Sequence, residues 1–476
     1  MMLKAGAVAL LILGAAQDKP FDAAQGKQEL DALNAVAEEL LKLSRLCSGA
    51  KAYSEARAEC ERGLRVLDAP KLRDELRKLA GKKDAPPKTF AKRLETERPR
   101  ALEKCAFLLA DAAAAALKQG RTEAFERHLR SIQQEFPSQK AFDKLDLAWF
   151  EPYRKWVSRD DARKLEGGAE RIDGKWVDAA AVAALDRNHA TWENPWIESD
   201  DVHEIHTTLP LRSARRLLSV VAAYRAFFVG EFAGAWDLRP PSGKLPVIVT
   251  ESQQALKEQL KKRAGNVALP GGVPGAAFYM YTNAPLNPCF VTLEPADATG
   301  RTYKTGVDDV VRMLTHELTH QLAFEYSKHD ADATRMVRNH FWAVEGIATF
   351  MQAHAFEKGV WRLRHPRTFP VGGGMVEQGP FTIAVENVDR LPPLAKFMAQ
   401  SQAELMTLEN YSIAACLAYF FLRAEEGTYR TPFVKLLERV HKVRDSEKLF
   451  GECFEGADPG ALEAPFRKFV AQIQLE

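Results

Sequence analysis

The 476-residue chain contains no Cys-x-x-Cys pair, so neither a thiolate zinc site nor a dithiol redox motif is supported. Its six cysteines, at 47, 60, 105, 289, 416 and 453, are scattered, an even number that permits disulfides without requiring them. The chain also lacks an excess of either charge. Lys and Arg outnumber Asp and Glu by 66 to 64, and a net +2 sets up no field to draw in nucleic acid. Basic stretches such as Lys82-Lys83 and Lys92 to Arg100 read as solvated helix faces. No apolar run reaches the roughly 18 residues of a membrane-spanning helix, so no integral membrane span is expected. There is no long biased tract either, and this length divides into two or three ordinary domains.

What is present begins with an address. Lys4, the apolar run Ala5 to Leu13 and the small residues Gly14-Ala15-Ala16 have the form of a signal peptide over 1–16. Cleavage near Gln17 and export to a periplasmic or extracellular compartment are expected. In such a compartment Cys47 and Cys60 are candidates for a disulfide across a helical hairpin. Cys105 and Cys416 sit in apolar helical surroundings and read as buried free thiols.

Residues 17–166 are rich in Ala, Leu, Glu, Lys and Arg with little strand-like alternation, which predicts an all-helical region. Tyr53-Ser-Glu-Ala56 running to Pro70 and Arg121-Thr-Glu-Ala124 running to Pro137 look alike. Each resembles the second helix of a tetratricopeptide-type repeat, although a generic helical-hairpin domain accounts for both and is preferred. A docking role for this region toward a protein partner is open. From residue 167 to 305 the texture changes. Val202 to Leu209, Leu245 to Thr250, Ala276 to Thr282 and Cys289 to Glu294 predict strands, the first two followed by helices. Gly- and Pro-rich loops fall at Gly265 to Pro274 and Asn283 to Pro288. Residues 306–476 read as almost wholly helical. The expected fold is α+β, with helices first, then a small mixed sheet, then a helical subdomain.

The chemistry-bearing residues lie in Thr315-His-Glu-Leu-Thr-His-Gln321, an HExxH motif. On a helix His316 and His320 are one turn apart and can meet one ion, while Glu317 can reach a metal-activated water. Thr305 and Asp308 suggest a capping box at the start of that helix. Val307, Val311, Leu314, Leu318 and Leu322 trace an apolar face at about 100° per residue, and both histidines fall on the other side. Two core histidines would lie on the aliphatic seam instead.

A third ligand is needed. Ala323 and Tyr326 stand where a metzincin has Gly and His, which excludes that branch. Phe341-Trp-Ala-Val-Glu-Gly-Ile-Ala-Thr-Phe350 supplies Glu345 among apolar neighbours, where a lone carboxylate is rarely buried without a partner. Gly346 would allow a close helix approach. Glu345 is preferred as the ligand, and Glu325, Asp330 and Asp332 are the alternatives.

HELTHQ followed by W-x-x-E-G-x-A resembles the gluzincin zinc metallopeptidases, most closely the peptidase-MA-like group of exported bacterial proteins. The resemblance runs from about Trp192 to the C-terminus and leaves the N-terminal helices outside it. It implies a thermolysin-like domain holding one zinc ion, with His316, His320 and Glu345 as ligands and Glu317 as general base. It also implies a strand along the cleft, here Phe290 to Glu294, that pairs with an extended peptide substrate. Tyr411, in the helix opening Asn410-Tyr-Ser-Ile-Ala-Ala, becomes the candidate oxyanion donor. Two departures from the family pattern stand out: Thr349 replaces the acid four residues after the ligand Glu, and the donor has no strict motif. Peptide-bond hydrolysis is the expected activity. Two other readings use the same residues, a catalytically silent protein-binding module with structural zinc and a hydrolase of peptidoglycan peptides. The intact Glu317 argues against the silent module.

Overall fold

Ala and Leu at helical spacing build the first region as expected. The computed structural model describes residues 27–476 except 68, 81, 88, 265–276, 280–285, 295–301, 303, 328–338, 358, 373–374, 443–446 and 457. The 1–16 leader lies outside the described residues, as do Asp330 and Asp332 and most of the two Gly/Pro-rich loops. Helices α1 (Lys27–Gly49), α2 (Tyr53–Val66), α3 (Pro70–Leu79), α4 (Phe90–Lys118), α5 (Thr122–Glu135) and α6 (Gln139–Lys144) come first. The two look-alike stretches are α2 and α5, each the second member of a helical pair joined by a short turn. Val36, Leu40, Leu43 and Cys47 of α1 share a buried cluster with Ala106, Leu109, Ala110 and Ala113 of α4. The alanines let the two long helices approach closely.

The six cysteines are buried free thiols, as expected for Cys105 and Cys416. The disulfide expected between Cys47 and Cys60 is not formed. The register of α1 against α2 sets Ser44 beside Cys60, whose Sγ donates to Ser44 Oγ at 3.2 Å.

Two helical expectations need correction. The 17–166 region is not all-helical, because β1 (Leu147–Phe150) and β2 (Lys155–Ser158) form an antiparallel pair with Trp149 opposite Trp156. Aromatic and β-branched residues favour this pleated surface, and the Phe142 ring of α6 stacks on Trp156 at 3.7 Å. After α7 (Arg159–Glu166) comes a second small pair, β3 (Glu170–Ile172) with β4 (Lys175–Val177), then α8 (Ala179–Asn188).

The main sheet follows: β5 (Trp196–Ser199), β6 (His203–Thr207), β7 (Leu245–Thr250), β8 (Ala277–Tyr279) and β9 (Cys289–Thr292), in spatial order β5-β6-β7-β9-β8. Strands β6, β7 and β9 run parallel, and β5 and β8 are antiparallel to their neighbours, so the sheet is mixed. Helices α9 (Leu211–Phe232) and α10 (Gln253–Ala264) cover opposite faces. Val247, Val249 and Val291 pack with α9, whereas Ile248 and Phe290 pack with Leu256 and Leu260 of α10. Coverage on both faces is why every residue of β7 is buried and why it reads as a continuous apolar run.

The helical subdomain opens with α11 (Val307–Glu325) and α12 (Phe341–Gln352). The near-absence of strands expected after 306 is the second correction. Two antiparallel hairpins intervene, β10 (His354–Glu357) with β11 (Val360–Leu363) and β12 (Thr368–Gly372) with β13 (Met375–Gln378). Both are two-stranded and local, held by packing and not by membership of the sheet. Short helices α13 (Thr382–Glu386), α14 (Leu394–Met398) and α15 (Gln402–Leu405) lead to α16 (Leu408–Arg423) and α17 (Arg430–Lys442). Among the described residues no helix is long and apolar enough to cross a membrane.

Candidate metal centre

Helix α11 takes its orientation from its apolar stripe. Val311, Leu314, Leu318 and Leu322 are buried in the main core, as the sequence pattern requires. Polar contacts lock the rotation. The Tyr224 hydroxyl of α9 is hydrogen-bonded to Thr319 Oγ1 at 2.5 Å, and Gln321 Nε2 donates to Pro246 O at 3.1 Å and Asn287 O at 2.8 Å. The helix begins at Val307, and Thr305 Oγ1 donates to Leu293 O at 3.2 Å. The side chain of Asp308 lies outside the described residues.

With that face held, His316 and His320 project toward α12. His316 Nε2 is 3.2 Å from Glu345 Oε2 and 3.2 Å from His320 Nε2, and His320 Nε2 is 3.5 Å from the same carboxylate oxygen. Among the described residues these three form a group able to hold a metal ion. All three are largely enclosed, with 16%, 6% and 12% of the His316, His320 and Glu345 side chains exposed. Glu345 is the acid that the structure brings to the histidines. Glu325 points away, its Oε1 accepting from the Tyr279 hydroxyl at 2.8 Å, Asn287 Nδ2 at 2.8 Å and Asn287 N at 3.1 Å.

The electrostatics follow from this enclosure. Burial penalises the Glu345 anion, but the His320 and His316 charges and their hydrogen bonds outweigh it and hold the carboxyl well below the usual range. Burial also opposes a charged His316, yet the Glu345 hydrogen bond and the Glu317 and Glu345 charges push its pKa above the ordinary value. Glu317 is displaced upward, first by burial and then by the Glu345 charge, against the pull of the two histidines. The backbone of Tyr279 on β8 adds to that downward pull.

No family model, no curated protein and no solved structure matches this chain. The site therefore has to be judged on its own chemistry.

Tyr411 does reach the cluster. Its ring centroid is 6.3 Å from that of His316, and its hydroxyl lies within the influence of the Glu345 and Glu317 charges. Burial, then the Glu345 and Glu317 charges, push its pKa far up, so it is a permanent O–H donor. His340 and His354 stay outside the cluster. His354 Nδ1 lies 3.2 Å from Met351 O, and burial lowers its pKa to about 4, which keeps the ring neutral. Thr349 Oγ1 is buried with no hydrogen-bond partner among the described residues, so it does not serve the histidines.

A residue outside the motifs serves one of them instead. Gln352 Oε1 sits 3.2 Å from His316 Nδ1. Gln352 lies seven positions after Glu345, two helical turns, so both project from one face of α12. That spacing was visible in the sequence, but nothing there marked the face as turned toward α11.

Gly346 permits a close approach, and the neighbour is α16. A Cβ there would meet Ala414 O at 2.5 Å, a backbone atom that cannot swing aside. Gly346→Ala is expected to force α12 and α16 apart and cost about 1–3 kcal/mol by overpacking. Thermal or denaturant unfolding of the variant checks this, and an unchanged midpoint would show that the two helices adjust freely.

Proposed function

We propose that the chain is an exported zinc peptidase of gluzincin type, cleaving peptide bonds with Glu317 as general base. The observation carrying this reading is the convergence of two imidazole nitrogens and one carboxylate oxygen with Glu317 beside them. Their separations of 3.2, 3.2 and 3.5 Å match the edge of about 3.3 Å set by a tetrahedral ion with bonds of roughly 2.0–2.1 Å. Three protein ligands leave the fourth position open, the pattern of a catalytic and not a structural zinc. Bound there, zinc supplies Lewis acidity to a peptide carbonyl and makes water a stronger acid.

The chain's own residues divide the remaining work. Glu317 takes the proton of the attacking water and returns it to the leaving amine, and its raised pKa suits both steps. Tyr411 donates to the oxyanion. The strand along the cleft is not Phe290 to Glu294, because β9 is hydrogen-bonded on both sides, to β7 and to β8. The edge strand on the α11 side is β8, which packs against that helix. In the thermolysin-like arrangement we infer, an extended substrate lies along β8.

The test is zinc content of the purified chain together with digestion of a broad peptide library, with and without a chelator. One zinc per chain and chelator-sensitive cleavage are expected, whereas a zinc-loaded protein that cleaves nothing overturns the peptidase reading. For Tyr411→Phe, kcat is expected to fall by roughly 10²-fold, the usual cost of one oxyanion donor, with KM and zinc content little changed. Wild-type turnover in that variant would make Tyr411 a packing residue.

A further inference from the structure

Of the three residues that make up the metal group, His316 is the one whose second ring nitrogen meets a side chain of α12, and that side chain is an amide. Gln352 Oε1 lies 3.2 Å from His316 Nδ1 and can only accept a hydrogen bond. The proton of neutral His316 is therefore held on Nδ1, which leaves the lone pair on Nε2, the atom facing His320 Nε2 and Glu345 Oε2. One helix thus presents a ligand through Glu345 and the orienting group of a second ligand through Gln352, two turns further along. The aim of His316 and the position of Glu345 are coupled through the rigidity of α12.

We infer that Gln352 is a positioning residue for His316, and that its neutrality tunes the site toward weaker, more exchangeable zinc binding than a carboxylate there would give. The reason is electronic. A carboxylate behind an imidazole pulls the Nδ1 proton toward itself and makes the opposite nitrogen a stronger ligand, while an amide carbonyl orients the ring with less of that effect. The more weakly donated ring leaves more positive charge on the ion and raises its Lewis acidity. Thr349, the other polar residue on this stretch of α12, makes no hydrogen bond among the described residues and cannot substitute.

The inference rests on the zinc reading, and its test is a binding measurement that does not depend on turnover. The full chain and its Gln352→Ala and Gln352→Glu variants are stripped of metal, and zinc Kd is measured by competition with a chelating dye. The visible spectrum of each cobalt(II)-substituted form is recorded alongside. Gln352→Ala is expected to weaken zinc binding by roughly 10- to 100-fold, the usual cost of losing such a partner. Gln352→Glu, nearly identical in shape, is expected to bind about tenfold more tightly than wild type, with a shifted cobalt spectrum. Unfolding midpoints of the metal-free proteins identify any variant that loses binding only through misfolding. Equal Kd and spectrum in wild type and Gln352→Ala overturn the positioning role. Weaker binding by Gln352→Glu overturns the tuning. A wild-type chain that binds zinc but cleaves no peptide sinks the peptidase reading alone, and one that binds no zinc sinks both.

Discussion

Glu317→Gln is expected to lower kcat for peptide cleavage by roughly 10³-fold, within the range that general acid–base catalysis contributes. Gln keeps the size and shape of the side chain, so the local packing has no reason to change. What it cannot do is take a proton from water and hand it to the departing amine. Glu317 is not one of the three residues in the metal group. Zinc content is therefore expected to stay near one per chain, which separates loss of the base from loss of the ion. A peptide-library digest and zinc analysis on the same preparation decide the matter. If the variant cleaves at the wild-type rate, the proton passes through another group and the assignment fails. If it loses its zinc, Glu317 is acting in metal binding, and the silent-module alternative gains ground.

His320→Ala is expected to remove both zinc and activity. The His320 ring is almost wholly enclosed, and its Nε2 is within 3.2 Å of His316 Nε2 and 3.5 Å of Glu345 Oε2. Deleting it leaves two ligands, with no other His, Cys, Asp or Glu completing the group among the described residues. Dialysed variant protein is expected to retain no zinc, with cleavage at the uncatalysed background. The folded state also loses its ligand-linked stabilisation, about 4 kcal/mol when free zinc is 1,000-fold above Kd. The wild-type unfolding midpoint should then rise with added zinc while the variant's stays flat. Glu345→Ala is the companion test of the third ligand. Full zinc occupancy with unchanged affinity there would move that role to an acid outside the described residues, Asp330 or Asp332 being the candidates from sequence.

The sequence by itself determined whatever depends on local periodicity. At one helical turn His316 and His320 must share a face, and the aliphatic positions around them dictate which face is buried. Strands β7 and β9 were legible because coverage on both sides demands unbroken apolar runs, and Leu245–Thr250 and Cys289–Thr292 are such runs. Glu345 stood out as a carboxylate in an apolar helix that needed a partner. The short hairpins were not legible. Leu147–Phe150, His354–Glu357 and Thr368–Gly372 are too brief for period-two alternation to stand out from helical neighbours, and pairing partners plus aromatic packing decide their state.

Tertiary structure alone decided which distant segments meet. It set Gly346 against α16 and Ser44 beside Cys60 where a disulfide had been expected, and it put β8 and not β9 at the sheet edge. It also chose Gln352 over Thr349 as the partner of His316. Helix geometry places residues four or seven apart on a common face, but the rotation and depth at which two helices pack come from the whole core. Whether an amide on that face finds an imidazole is settled only when α11 and α12 have docked.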